Sequence, residues 1–377
     1  MKTKIVELGI IVLKVILKTT YFFLKALPVN DKKVLFCSRQ MAELPLDFKL
    51  LQDRLTEDKA DIKIVNICQP IGRSLGEYFL FVIALFRSMY HLATCRVCIL
   101  DTYWPAVSLL KHKKDLTVIQ IWHAIGKIKK SGYASAGKRS GRKAEHAKKL
   151  HMHENYDYVI AGAKEWNKYY CESFGIEEDI ILNYGLPRID YLLDTEKINR
   201  ERFFEENPEM KSKKIVLYAP TFRRNMKSSW DKIVALADND DILLIIKTHP
   251  GERKVVHLDH KDNIKFFDNW KTIDLIAVCD YLVTDYSAIA LEGAVLNKKT
   301  FFWTYDYDKY VKNNGLNIDL YGTVPMHIFE EVEELREYIE KDRFDNKAFS
   351  DFRKRYLPHE LYGSTEKIAK LVLDKMN

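Results

Sequence analysis

Tyr281-Leu-Val-Thr-Asp-Tyr-Ser-Ala-Ile-Ala-Leu-Glu292 decides the fold. A short apolar strand runs straight into a helical pattern, with Thr284–Ser287 as the region that caps the helix. The first turn of such a helix has unpaired backbone N–H groups and the positive dipole end, which suits phosphate. Ser287 adds a hydroxyl, and Glu292, about a turn and a half on, is placed to accept hydrogen bonds from a ribose. The same strand-then-helix alternation extends outward in both directions. Toward the carboxyl end lies Thr300–Trp303; toward the amino end lie Ile264–Phe267, Ile242–Lys247 and Ile215–Tyr218. A first half repeats the pattern with Lys33–Cys37, Ile62–Cys68, Arg96–Leu100, Leu116–Trp122, Tyr158–Gly162 and Ile180–Leu182. Strands alternating with helices predict parallel sheets with right-handed crossovers. The expected class is therefore α/β: two Rossmann-like, doubly wound domains facing a cleft, joined near Tyr184–Leu193. The expected boundaries are 1–28 for an amino-terminal helix, 29–190 for an acceptor domain and 191–377 for a donor-binding domain.

In such sheets ligands bind beyond the carboxyl ends of the strands, and three further strand ends carry chemistry. Gln120-Ile-Trp-His-Ala-Ile-Gly126 places His123 after an apolar strand, where an imidazole is suited to take a proton from a hydroxyl. Leu217-Tyr-Ala-Pro-Thr-Phe-Arg-Arg224 stops its strand at Pro220 and projects Thr221, Arg223 and Arg224; a guanidinium suits bidentate phosphate recognition. Ile245-Ile-Lys-Thr-His-Pro-Gly251 brings Lys247 and His249 out at a strand end as donors to a diphosphate. No carboxylate cluster of magnesium-binding type is visible. His146, His151 and His153 lie in a polar helical segment and are expected to face water rather than a metal.

Of 377 residues, 47% are hydrophobic and 30% charged, ample for packed cores and incompatible with a disordered or low-complexity chain. The six cysteines are too sparse for a disulfide scaffold, Cys95-Arg-Val-Cys98 has no partner pair for zinc, and a reducing, cytosolic compartment fits. Residues 4–27 are apolar but interrupted by Lys14, Lys18 and Lys25, short of the ~18 uncharged residues of a membrane span. On a helical wheel Lys4, Glu7, Lys14, Lys18 and Lys25 form one stripe. That suits a helix lying in the bilayer interface, or one packed on the protein's own core with its lysines outward. The net charge of +7 is local: Lys127–Lys149 holds nine Lys and Arg against Glu145 alone. Lys129, Lys130, Lys138, Arg139 and Arg142, with Gly126 loosening the start of the segment, read as an acceptor and anionic-membrane surface, or as a solvated basic loop. One basic loop without a recognition motif argues against nucleic-acid binding.

Trp122-His123 followed by Gly126 and Lys129, Tyr218-Ala-Pro-Thr-Phe-Arg223, Lys247-Thr-His-Pro250 and Thr284-Asp-Tyr-Ser287 with Glu292 resemble the CDP-glycerol glycerophosphotransferases of wall teichoic acid synthesis. The resemblance runs from about Lys33 to Leu361. It implies a GT-B-like fold and a peripheral enzyme on the cytoplasmic face of the membrane, with no cofactor beyond its CDP-glycerol substrate. Such an enzyme moves glycerol phosphate to an undecaprenyl-diphosphate-linked acceptor and releases CMP. It places two essential histidines at His123 (acceptor side, base) and His249 (donor diphosphate). Thr221, Arg223, Ser287 and Glu292 fall on donor-binding positions, beside Lys247. The short chain and Trp122-His-Ala-Ile-Gly126 look primase-like. Ala124 keeps a ribitol-phosphate transferase, a polymerase or a capsule enzyme open, and a nucleotide-sugar glycosyltransferase shares the same strand-end logic.

Overall fold

The structure, a computed structural model, describes residues 2–72, 74–139, 141–221, 230–247 and 261–376. His249, Arg223 and Arg224 lie outside the described residues.

Twelve strands are described. They are β1 (Asn30–Ser38), β2 (Lys63–Cys68), β3 (Cys95–Leu100), β4 (Thr117–Gln120), β5 (Tyr158–Ile160), β6 (Ile181–Leu182), β7 (Lys214–Tyr218), β8 (Ile242–Ile246), β9 (Ile264–Lys265), β10 (Tyr281–Thr284), β11 (Lys299–Trp303) and β12 (Ile328–Phe329). They form two six-stranded sheets, ordered β2-β1-β3-β4-β5-β6 and β12-β11-β10-β7-β8-β9. Every pairing is parallel. Central strands buried on both faces need continuous apolar runs rather than alternation. Ile242–Ile246 is buried throughout, as is the end of β1 from Val34 to Ser38. Strand order reverses between β1 and β3 in the first sheet and between β7 and β10 in the second. Those two reversals are where a doubly wound sheet opens a crevice for ligand.

The chain divides into two compact units. One holds residues 1–123, 130–188 and 363–377; the other holds 124–129 and 189–362. This differs from a single cut near residue 190 in two places. The carboxyl-terminal helix Ser364–Asp374 packs on the helix Leu46–Asp58 of the first unit, with Ile368, Ala369 and Val372 buried. The six residues after His123 belong with the second unit. The strand β12 is also absent from the sequence reading, because two residues carry no period.

In the first unit, the helix Lys2–Leu24 buries Leu17 and Tyr21, and the Tyr21 hydroxyl lies 2.9 Å from Nδ1 of His112. Its outer side is not the lysine stripe of a core-packed helix: Ile11, Val12, Val15, Ile16, Phe22 and Phe23 are exposed. It packs beside the helix Leu75–Thr94, which opens on a complete Ser74/Glu77 capping box. That helix leaves Leu75, Tyr78, Phe79, Leu80, Val82 and Ile83 exposed as well. No described helix is long and apolar enough to cross a membrane.

Candidate functional site

The first strand-end cluster is built on Gln120, the fully buried last residue of β4. Its Oε1 accepts from the Trp122 N–H at 2.9 Å, and its Nε2 donates to the Thr102 carbonyl at 3.1 Å. Ile121 N–H donates to the Leu100 carbonyl at 2.7 Å, so the chain leaves the sheet in a fixed direction. Trp122 then sits at φ 60°, a left-handed conformation that costs a bulky residue of order 1–3 kcal/mol. The turn swings His123 back over the sheet edge, its ring centroid 4.0 Å from that of Trp122. His123 Nδ1 lies 2.9 Å from the Asp101 carbonyl oxygen. A carbonyl only accepts, so Nδ1 carries a proton here, and in the neutral form of such a ring the basic lone pair is on Nε2. That is the tautomer a general base needs.

Asp101, at the end of β3, is buried, and burial pushes its carboxyl up to about 7. The hydroxyls of Ser38 (2.7 Å) and Thr102 (3.1 Å) donate to it and pull the other way. The expectation that three nearby histidines face water fails for His153 and in part for His146, which is half-buried with its Nε2 shut off from solvent. His153 is buried, stacked on Phe174 with centroids 4.2 Å apart, and its Nδ1 is 3.0 Å from the Tyr156 hydroxyl. The apolar wall of Trp122, Phe174 and Tyr156 recruits it, which sequence polarity alone does not show. His151 bonds Glu154 at 2.8 Å. Among the described residues no group of three His, Cys, Asp or Glu is arranged to hold a metal.

The second cluster lies at the reversal between β7 and β10. The Asp285 carboxylate accepts from the Thr221 N–H at 2.8 Å and from the Tyr286 N–H at 2.6 Å; the Thr284 hydroxyl donates to the Ala219 carbonyl at 2.7 Å. The two strand ends are thereby locked together, with Thr221 buried at their junction. The helix begins at Ile289, two residues later than the capping region read from sequence, and Ser287 lies between the bend at Asp285 and Tyr286 and that helix. Glu292 is buried in the first turn rather than solvated. A Cβ on Gly293 would stand 2.6 Å from Leu282 Cδ2, so this helix hugs the sheet closely enough to require glycine there. Lys247 is half-buried, and its ammonium donates to the Phe267 carbonyl at 2.6 Å; burial lowers its pKa.

The basic segment after His123 is not one surface. Ala124–Lys129 forms a strap within the second unit, clamped by Asn317. Asn317 donates from its backbone N–H to the Ile128 carbonyl (2.8 Å) and from Nδ2 to the carbonyls of Lys127 (2.7 Å) and Lys129 (3.2 Å). Ile125 and Ile128 are buried, and so is Lys127, whose pKa burial drives well below its ordinary value. Lys129 Nζ lies 3.3 Å from Thr221 Oγ1. Gly126 and Lys129 therefore accompany the Thr221 cluster, whereas Lys130, Lys138, Arg139 and Arg142 stay in the first unit. Lys127, read as part of a solvated or lipid-facing charge run, is corrected to a buried side chain. Sequence reasoning also passed over Ser38, Asp101, Gln120, Asp285 and Asn317, single polar residues whose role comes from burial at a strand end.

Two doubly wound parallel sheets, each with polar side chains gathered at the carboxyl edge of its reversal point, define an α/β protein of the doubly wound class. Residues 19–374 match the family model described as CDP-Glycerol:Poly(glycerophosphate) glycerophosphotransferase, and the chain belongs to that family. A teichoic acid ribitol-phosphate primase from Bacillus spizizenii is 32% identical over 374 residues, covering 96% of both chains. A teichoic acid glycerol-phosphate primase from Bacillus subtilis is 31% identical over 252 residues, covering 64% of both. Among solved structures, the wall teichoic acid polymerase TagF is similar in fold, with a TM-score of 0.73 at 18% identity over 92% of this chain and 90% of that one.

Proposed function

We propose that the protein transfers a polyol phosphate from a CDP-polyol to a hydroxyl of a lipid-linked acceptor in teichoic acid synthesis, releasing CMP. The observation that carries this reading is the His123 tautomer, held by the Asp101 carbonyl at the carboxyl edge of the first sheet, in a chain of this family. His123 Nε2 takes the acceptor hydroxyl proton. The acceptor oxygen forms the new P–O bond at the polyol-bearing phosphorus, the bridging P–O bond to CMP breaks in line, and CMP departs with that electron pair. Thr221, Ser287, Lys129, Arg223, Lys247 and His249 are the donor-side candidates that would hold the diphosphate and stabilise the departing charge. Glu292 is the candidate for the ribose.

The polyol has two readings. The four motifs taken together suggested glycerol phosphate; a relative that matches over 96% of both chains is a ribitol-phosphate primase, which favours ribitol phosphate. The exposed apolar faces of the helices Lys2–Leu24 and Leu75–Thr94, beside the lysines of the first, support peripheral attachment to the membrane that carries the acceptor. The cytoplasmic face follows from the need for a cytidine nucleotide.

The test is CMP release by the purified protein with lipid-linked acceptor and CDP-glycerol, CDP-ribitol or a UDP-sugar in separate reactions. One CDP-polyol should support turnover and the UDP-sugar none. Turnover with the UDP-sugar alone would make the protein a glycosyltransferase, and no turnover with either CDP-polyol would refute the reading. His123→Ala and His249→Ala should each abolish release; near-wild-type rates in either would remove that residue from the mechanism.

A further inference from the structure

In the first sheet the strand order reverses between β1 and β3, and the residues just past those strands are Arg39 on one side and Asp101 and Thr102 on the other. The pairing register aligns them: Cys37 of β1 lies opposite Leu100 of β3, and Leu100 lies opposite Gln120 of β4, three residues before His123. Arg39 is anchored here, its N–H donating to the Thr102 hydroxyl at 3.2 Å and its guanidinium lying 5.2 Å from the Tyr103 ring centroid. Its Nε is shut off from solvent without a hydrogen-bond partner among the described residues. Arg142, an exposed side chain of the same unit, is close enough for its positive charge to act on both Arg39 and Tyr103.

Among the described residues no carboxylate is hydrogen-bonded to the Arg39 Nε. Of the nearby carboxyls, Asp101 is occupied by the Ser38 and Thr102 hydroxyls and held part-protonated near neutral pH by burial, and Glu154, whose charge acts on Tyr103, is bonded to His151. A guanidinium whose Nε is buried without a paired anion is costly, more so with a second positive charge acting on it. Burial, followed in smaller measure by the Arg142 charge, lowers the Arg39 pKa against the help of Tyr103. Two guanidiniums at the reversal point of a doubly wound sheet, one with an unused N–H, are what a phosphate group requires.

We propose that Arg39 and Arg142 form an anion site at the β1/β3 edge of the first unit, and that it holds a phosphate group of the acceptor beside His123. The proposal rests on the functional reading above for the identity of the anion's carrier, but not for the anion site itself. It differs from a general basic surface: a residue outside the lysine-rich run is the principal ligand, and Arg142 is its partner.

Two measurements test it. In the first, inorganic pyrophosphate is titrated calorimetrically into the full-length protein saturated with CDP, so that the donor site is filled. Arg39→Gln should weaken binding at least tenfold, Arg39→Lys should not restore it, and Arg142→Gln should weaken it about threefold. Arg142 is exposed, so its variant keeps the test decisive if Arg39→Gln does not fold. Unchanged pyrophosphate binding in folded Arg39→Gln, or in Arg142→Gln where that stands alone, would overturn the site. In the second, kcat/KM is compared for an acceptor alcohol with and without its phosphate. Arg39→Gln should lower the phosphate-bearing to phosphate-free ratio about tenfold. An unchanged ratio, or a rise confined to the donor KM, would overturn the assignment to the acceptor. If the wild-type protein releases no CMP from any CDP-polyol, the functional reading fails while the titration still decides the anion site.

Discussion

Replacing Asp101 by Asn should stabilise the first unit, and only above acidic pH. The side chain is 2% exposed, and burial raises its pKa from 3.8 to about 7. Between those values the native state binds more protons than the unfolded chain, so stability falls as pH rises through the window. The contribution is fully present below pH 3.8 and lost above 7. A difference of about 3.2 units at ~1.4 kcal/mol each amounts to about 4 kcal/mol. An amide in this place is never charged; its oxygen keeps the Thr102 hydroxyl bond, and the Ser38 hydroxyl turns to accept from the amide nitrogen. Urea denaturation of both proteins at half-unit steps from pH 4.5 to 8 measures the difference. It should be small at the acid end, climb by ~1.4 kcal/mol per pH unit and flatten above 7. Half-buried His91 and His112 and buried His327, each lowered to about 4 by burial, lose stability in the opposite direction, but they are common to both proteins and cancel. A difference that stays constant or shrinks across the range would refute the account of Asp101, and with it the argument that this carboxyl fails to neutralise Arg39.

Asn317→Ala removes two hydrogen bonds to the strap and leaves two carbonyls short of a donor. It should cost about 1–3 kcal/mol in urea unfolding and raise the CDP-polyol KM, whereas an unchanged KM would detach the strap from donor binding. His327 is buried against Phe344 with ring centroids 4.2 Å apart and its pKa lowered to about 4, so its stabilisation is present above pH 6.5 and lost as pH falls toward 4. His327→Phe should therefore raise stability at pH 4.5 relative to pH 7.5 by up to about 3 kcal/mol, and equal effects at both would contradict the burial argument. Phe22→Ser, Phe23→Ser and Phe79→Ser combined remove exposed rings from the two neighbouring helices and should reduce flotation with anionic vesicles at least tenfold. Wild-type flotation in the triple variant would place membrane attachment elsewhere.

The strands were legible where burial on both faces leaves an unbroken apolar run, as in Ile242–Ile246, or where an apolar run meets a helix directly, as at Thr284. They were illegible where two residues suffice, as in β12. His123 was legible because an imidazole straight after an apolar strand is conspicuous. The residues that position the ring and set its tautomer were not: Asp101 contributes only a backbone carbonyl, and Gln120, which fixes the turn before it, looks like any polar residue at a strand end. Lys127 misled because a lysine in a basic run is ordinarily solvated, and nothing local announces that Asn317, 190 residues away, will hold its carbonyl.

By itself the sequence determined the two sheets, the helices between them and the strand ends on which the motif residues fall, because period and apolar run length are properties of a chain read locally. Strand order is not local. Which ends become neighbours at the β1/β3 and β7/β10 reversals, which charges go inside, and that the strap after His123 joins the second unit depend on packing between segments far apart in the chain. Only the tertiary structure could decide them, and with them the pairing of Thr221 with Asp285 and the place of Arg39.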